Sequence, residues 1–101
     1  MDQTFEFTAV LWPWRARNQM WTFVTVPDDI SDEVEALQSE KRRGFGAVKV
    51  RVTVGGTVWD TSMFPSKEHS AYILPIKAAV RKAEGMALDD AVAVSMKLIA
   101  V

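Results

Sequence analysis

Residues 72–98 read YILPIKAAVRKAEGMALDDAVAVSMKL, and in them a strand, a helix, a stop and a second strand follow without a spare residue. Tyr72, Ile73 and Leu74 form the end of a short apolar strand. Pro75 suits a first helical turn, where a fixed φ and a missing N–H do no harm, so a helix is predicted from Pro75. Ala78, Val80 and Ala83 with Lys77, Lys82 and Glu84 carry it for about three turns. Gly85 can take the left-handed position that ends it, and Arg81 and Lys82 suit that C-terminal end. From Asp90 the period changes to two: Val92, Val94, Met96 and Leu98 share one face, Ala93, Ser95 and Lys97 the other. That is a half-buried strand.

Upstream of this stretch lies the clearest hairpin. Ala47 to Val54 and Thr57 to Met63 flank Gly55-Gly56, a two-residue turn able to hold positive φ at both central positions. The predicted register sets Val54 opposite Thr57, Val52 opposite Trp59, Val50 opposite Thr61 and Val48 opposite Met63 on a core face. The other face opposes Arg51 to Asp60 and Lys49 to Ser62. Phe64 to His69 then reads as a polar excursion. His69 is a loop histidine with no neighbouring nucleophile beyond Ser66 and Ser70.

The N-terminal third supplies two more strands and a helix. Thr4 to Trp12 alternates, with Phe5, Phe7, Ala9 and Leu11 on the buried face, and Pro13 is expected to end the strand. Residues 12–18, WPWRARN, read as a loop that places Trp12 and Trp14 beside Arg15 and Arg17. We read it first as a cap on the barrel end, with a platform for a base or sugar ring as the alternative. Met20 to Val26 forms the next strand, closed by Pro27. Ser31 is the expected N-cap of an acidic helix whose apolar stripe is Ile30, Val34 and Leu37. Lys41, Arg42 and Arg43 lead into Gly44, Phe45 and Gly46, where backbone able to adopt positive φ could form an anion-binding nest or simply turn the chain.

The plan occurs twice. Phe23-Val24-Thr25-Val26-Pro27 lies over Tyr72-Ile73-Leu74-Pro75, and Val48 to Val54 corresponds to Val92 to Leu98, so two strand–helix–strand units follow each other with extra residues near the 41–46 loop. Such units bury their open edges by interleaving, which predicts pseudo-twofold symmetry. The expected fold is therefore mainly β with two short helices: one small double-split β-barrel of about six to seven strands over residues 1–101.

Composition narrows the function classes. The chain has 101 residues, 49% of them hydrophobic, no cysteine and one histidine. Disulfides and thiolate metal sites are thereby excluded, and neither a metal nor a cofactor is expected. Twelve basic against thirteen acidic residues give no global field for phosphate backbones or anionic membrane. No apolar stretch is long enough to span a bilayer, and a cytoplasmic location is expected.

The blocks FxFxAxLW, WTFVTVP, RRGFGAVKVRVTVGGTVWDTSMFP, YILPIKAAVRKAEGM and DDAVAVSMKL run from Phe5 to Leu98. In combination they resemble the domain-of-unknown-function 1905 family over essentially the whole chain. The resemblance implies a small split β-barrel of bacterial proteins and no established activity. Where that family usually has Gly-Asp before its last strand, at a tight turn needing positive φ, this chain has Asp89-Asp90. The last third also resembles the swapped-hairpin half of AbrB and MazE type DNA-binding domains, where two chains complete one barrel.

Three functional expectations follow. The first is a non-enzymatic barrel binding a small anionic molecule or a protein partner, as a monomer or weak homodimer. Its candidate residues are Arg42, Arg43, Phe45, Lys49, Arg51, Trp59, Ser62, Lys77 and Arg81. The second is an AbrB-like nucleic-acid-binding regulator in which those cations meet phosphate and Trp12, Trp14 or Phe45 stack on bases. The third, ranked last, is a hydrolase-type enzyme using Asp60, Ser62 or His69. No nucleophile with its activator can be read from the spacing, and no catalytic residue is assigned.

Overall fold

The computed structural model describes residues 3–16, 18–38 and 46–99. In chain order they form β1 (Thr4–Val10), β2 (Trp12–Ala16), β3 (Gln19–Thr25), α1 (Asp28–Gln38), β4 (Val48–Val54), β5 (Thr57–Ser66), β6 (Ala71–Pro75), α2 (Ala78–Glu84) and β7 (Ala91–Leu98). The strands make one antiparallel sheet in the order β1-β7-β4-β5-β6-β3-β2, curled into a half-barrel. The mainly β fold with two helices is as the sequence predicts.

Two long strands bend across the split. β5 pairs with β4 through its first residues and with β6 through Phe64 to Ser66. β1 and β2, separated by Leu11 alone, pair with β7 and β3 at opposite ends of the sheet. Leu11 is the pivot. Its side chain is fully buried, its N–H donates to Asp90 O at 2.9 Å and its carbonyl accepts from Asp89 N at 2.8 Å. Pro13 therefore does not end the strand, and WPWRA is β2 rather than loop. Proline is tolerated there because β2 lies at the edge of the strand order, where a missing donor breaks no central ladder.

The repeat is visible in the pairing itself. Thr25 lies opposite Ile73 in the β3–β6 ladder, and Val52 lies opposite Met96 in the β4–β7 ladder. In each case a residue pairs with its own counterpart in the other unit, as a twofold axis through both ladders requires. The β4–β5 register is the predicted one from Val48–Met63 to Val54–Thr57. Of the two turn glycines, Gly55 has φ of 58° whereas Gly56 does not reach positive φ, as in hairpins that need glycine at the first central position. The strand also runs on through Phe64, Pro65 and Ser66, which pair with β6.

Both helices start away from the predicted residues. α1 begins at Asp28, which leaves Ser31 inside the helix and 4% exposed. Ser31 Oγ donates to Val26 O and accepts from Tyr72 N–H, both at 3.1 Å, so it joins the ends of β3 and β6 instead of capping. Val34 is buried and Ile30 packs on the core, but Leu37 is 43% exposed and does not belong to the buried stripe. α2 begins at Ala78, with Lys77 as N-cap and extended, because Pro75 is already the last residue of β6, opposite Phe23. Gly85, at φ 64°, ends the helix as predicted, with its N–H bonded to Lys82 O.

One core holds the halves together: Val48, Val50, Val52 and Val54 of β4, Val92, Val94, Met96 and Leu98 of β7, and Leu11, Val24, Val26, Met63 and Leu74. These are the period-two faces, and their burial drives the sheet to curl around them. Among the described residues no helix is long and apolar enough to cross a membrane.

Candidate functional site

Strand alternation sorts the candidate residues. On β4, Val50 and Val52 point into the core, so Lys49 and Arg51 project outward, and their partners Ser62 and Asp60 do the same from β5. Trp59, opposite Val52, packs against the core, and its Nε1 is buried with no hydrogen-bond partner among the described residues. Lys77 and Arg81 lie at α2, which reaches the hairpin through its other end: Thr57 Oγ1 donates to Glu84 Oε2 at 2.5 Å. The described candidates thus divide into an outward set, Lys49, Arg51 and Ser62, an α2 set, Lys77 and Arg81, and Trp59 against the core. Arg42, Arg43 and Phe45 lie outside the described residues.

Arg51 is already engaged. Its Nε and Nη2 donate to the two oxygens of Asp60 at 2.7 and 3.1 Å, with both side chains about half exposed. This bidentate hydrogen bond, reinforced by charge, raises the Arg51 pKa and holds the Asp60 carboxyl below the usual aspartate value. A guanidinium saturated by a carboxylate has fewer donors left for a ligand.

Arg81 is in the opposite condition. Its Nε is buried without a hydrogen-bond partner among the described residues, and the residue helps bound a cavity of about 240 Å³ with Met20, Trp21, Thr22, Pro75, Ile76, Lys77 and Ala78. The β3–β6 junction builds its floor. Ile76 N–H donates to Thr22 O at 2.8 Å, and Thr22 Oγ1 donates to Ile76 O at 2.7 Å. This reciprocal pair fixes where Lys77 leaves the sheet and α2 begins. A larger, shallower groove of about 460 Å³ crosses β1, β7 and β4, but Glu6 and small neutral side chains such as Thr53 and Ser95 line it. It offers nothing to an anion.

The aromatic residues also fall into two conditions. Trp12 is satisfied: it stacks on Phe23 at 5.1 Å and on His69 at 4.6 Å, and its Nε1–H donates to Thr25 Oγ1 at 2.9 Å. Trp14 and Trp21 face each other directly across β2 and β3, 52% and 49% exposed. Sequence reading groups Trp14 with Trp12 and overlooks Trp21. The signal is present in the spacing, since a tight β2–β3 hairpin that pairs Ala16 with Gln19 must bring Trp14 opposite Trp21.

Asp60, Ser62 and His69 do not assemble. Asp60 is held by Arg51, whereas His69 stacks on Trp12 in the other half of the sheet. His69 Nδ1 instead meets Ser66 Oγ at 2.9 Å, and the same oxygen accepts from His69 N–H at 3.3 Å, a short-range turn bond that seats the ring. Among the described residues no group of three metal-ligating side chains occurs.

No curated protein matches this sequence. A family model does: the one described as "Domain of unknown function (DUF1905)" matches residues 7–96. With the split half-barrel, the GG hairpin and the Pro75-to-Gly85 segment where the family blocks require them, the chain belongs to the DUF1905 family.

Proposed function

We propose that this protein is a binding module for a small anionic molecule, held in the cavity between β3, the end of β6 and the start of α2. The observation that carries this reading is that Lys77 and Arg81 both line that cavity, and that Arg81, with its Nε buried and unbonded, has no carboxylate partner among the described residues. A charged donor left without an acceptor in a partly desolvated site is costly, and an anionic oxygen removes that cost with a charge-assisted hydrogen bond. Lys77 lines the same cavity and adds a second positive charge. The contrast with Arg51, whose carboxylate partner is built in, favours the α2 set over the outward hairpin face.

The test is thermal denaturation and calorimetric titration with inorganic phosphate and acetate on wild type, Arg81→Met and Arg51→Met. A saturating anion about ten-fold above Kd stabilises the native state by about 1.4 kcal/mol. Arg81→Met should abolish the shift and Arg51→Met should preserve it. The reading fails when neither anion stabilises the wild type, or when Arg51→Met removes the effect and Arg81→Met does not.

A further inference from the structure

Trp21 belongs to two surfaces at once. It lines the cavity with Lys77 and Arg81, and it lies directly opposite Trp14 in the β2–β3 ladder. Both indoles sit about half exposed on the outward face of the sheet. Trp12 on the same face has ring partners and a hydrogen bond; Trp14 and Trp21 have neither among the described residues. Exposed tryptophan leaves a large apolar surface in water unless something covers it. Here the exposed pair begins where the cationic cavity ends.

Size decides what covers it. A volume of about 240 Å³ falls below the roughly 300–1,000 Å³ that encloses a drug-sized ligand. The cavity therefore admits the anionic end of a molecule and leaves the remainder outside. The remainder leaves past Trp21 and towards the exposed indoles of Trp21 and Trp14, whose π faces suit a planar ring. We infer that the ligand is a nucleoside monophosphate: a phosphate seated against Arg81 and Lys77, joined through a short sugar spacer to a base that stacks on Trp21 and Trp14. This inference rests on the anion-binding reading of the same cavity and names its ligand class.

The experiment is calorimetric titration of the full chain with AMP, ribose 5-phosphate and adenosine, repeated on Trp21→Leu, Trp14→Leu and Arg81→Met. Both tryptophans are exposed, so the leucine variants should fold, and Trp14→Leu lies outside the cavity and keeps the phosphate seat intact. AMP should bind roughly ten-fold or more tightly than ribose 5-phosphate, the scale of one base stacked on an aromatic side chain. Trp21→Leu, which removes a stacking ring and part of the cavity wall together, should weaken AMP more than ribose 5-phosphate. Trp14→Leu should weaken AMP alone. Equal binding of AMP and ribose 5-phosphate overturns the nucleotide inference and leaves the anion reading standing. Binding of neither, in the wild type, removes both. Affinity for a single-stranded oligonucleotide that climbs with strand length overturns the free-nucleotide inference in favour of a strand running across the two tryptophans.

Discussion

Ser31 Oγ sits 3.1 Å from the backbone nitrogen of Tyr72 and 3.1 Å from the carbonyl oxygen of Val26, one hydroxyl joining α1 to both sides of the β3–β6 pair. Val26 N–H donates in turn to Tyr72 O at 2.9 Å, so the hydroxyl closes a small ring of bonds at the end of the ladder. Ser31→Ala removes both of the hydroxyl's bonds, a loss of about 1–3 kcal/mol at about 0.5–1.5 kcal/mol each. For a domain of this size that lowers Tm by roughly 4–24 °C. An unchanged Tm in Ser31→Ala would show that the hydroxyl is replaced by water there.

Gly55 and Gly56 look interchangeable in sequence and differ in the fold. Gly55 holds φ at 58°, and a Cβ on it would collide with the carboxylate of Glu84, the acceptor of Thr57 Oγ1. Gly56 has nothing within 4 Å of the corresponding position. Gly55→Ala combines left-handed backbone strain with a displaced Glu84 and should destabilise by about 2 kcal/mol. Gly56→Ala should stay within about 0.5 kcal/mol of wild type. Urea denaturation of the two variants checks the pair, and similar midpoints would refute the asymmetry.

Period-two patterning and the GG turn make β4, β5, β7 and their register legible in the sequence, because a one-residue slip would turn every valine of β4 outward. The twofold repeat is legible for the same reason. Prolines and small polar residues are misread when judged by local preference. Pro13 and Pro75 are strand residues and Ser31 is a buried bridge, because edge position and cross-strand partners override local propensity. The site is half legible. Lys77 and Arg81 stand out as cations, but Trp21 needs the β2–β3 register to join them, and the difference between Arg51, paired with Asp60, and Arg81, without a carboxylate partner among the described residues, exists only in three dimensions.

The Arg51–Asp60 pair gives a pH signature with a definite sign. Asp60 has a folded pKa below its ordinary value of 3.8, chiefly through the hydrogen bonds from Arg51. The unfolded chain binds the Asp60 proton first as pH falls, so the pair's stabilisation is present above the ordinary aspartate pKa and is lost as pH drops through the lowered one. Both groups are exposed and screened, so the contribution is small. The Tm curves of wild type and Asp60→Asn should run slightly apart at neutral pH and converge in acid. A gap that widens in acid would contradict the assignment.

Asp89 takes up φ of 73° at the turn where family members usually carry glycine, so the tight turn is kept and the aspartate bears the strain. Its N–H donates to Leu11 O at 2.8 Å, and Asp90 Oδ2 accepts from Ala87 N–H at 2.8 Å. The turn is therefore fixed by backbone and by Asp90, and neither bond uses the Asp89 side chain. A non-glycine residue in the left-handed region costs about 1–3 kcal/mol, less for aspartate than for most, and glycine gives back roughly 0.5–1 kcal/mol of that as unfolded-state entropy. Asp89→Gly should then stabilise by about 0.5–1 kcal/mol, raising Tm by roughly 2–8 °C, while Asp89→Ala should lower it. A fall in Tm on Asp89→Gly would mean that the carboxylate itself steadies the β1–β7 corner and outweighs the backbone strain.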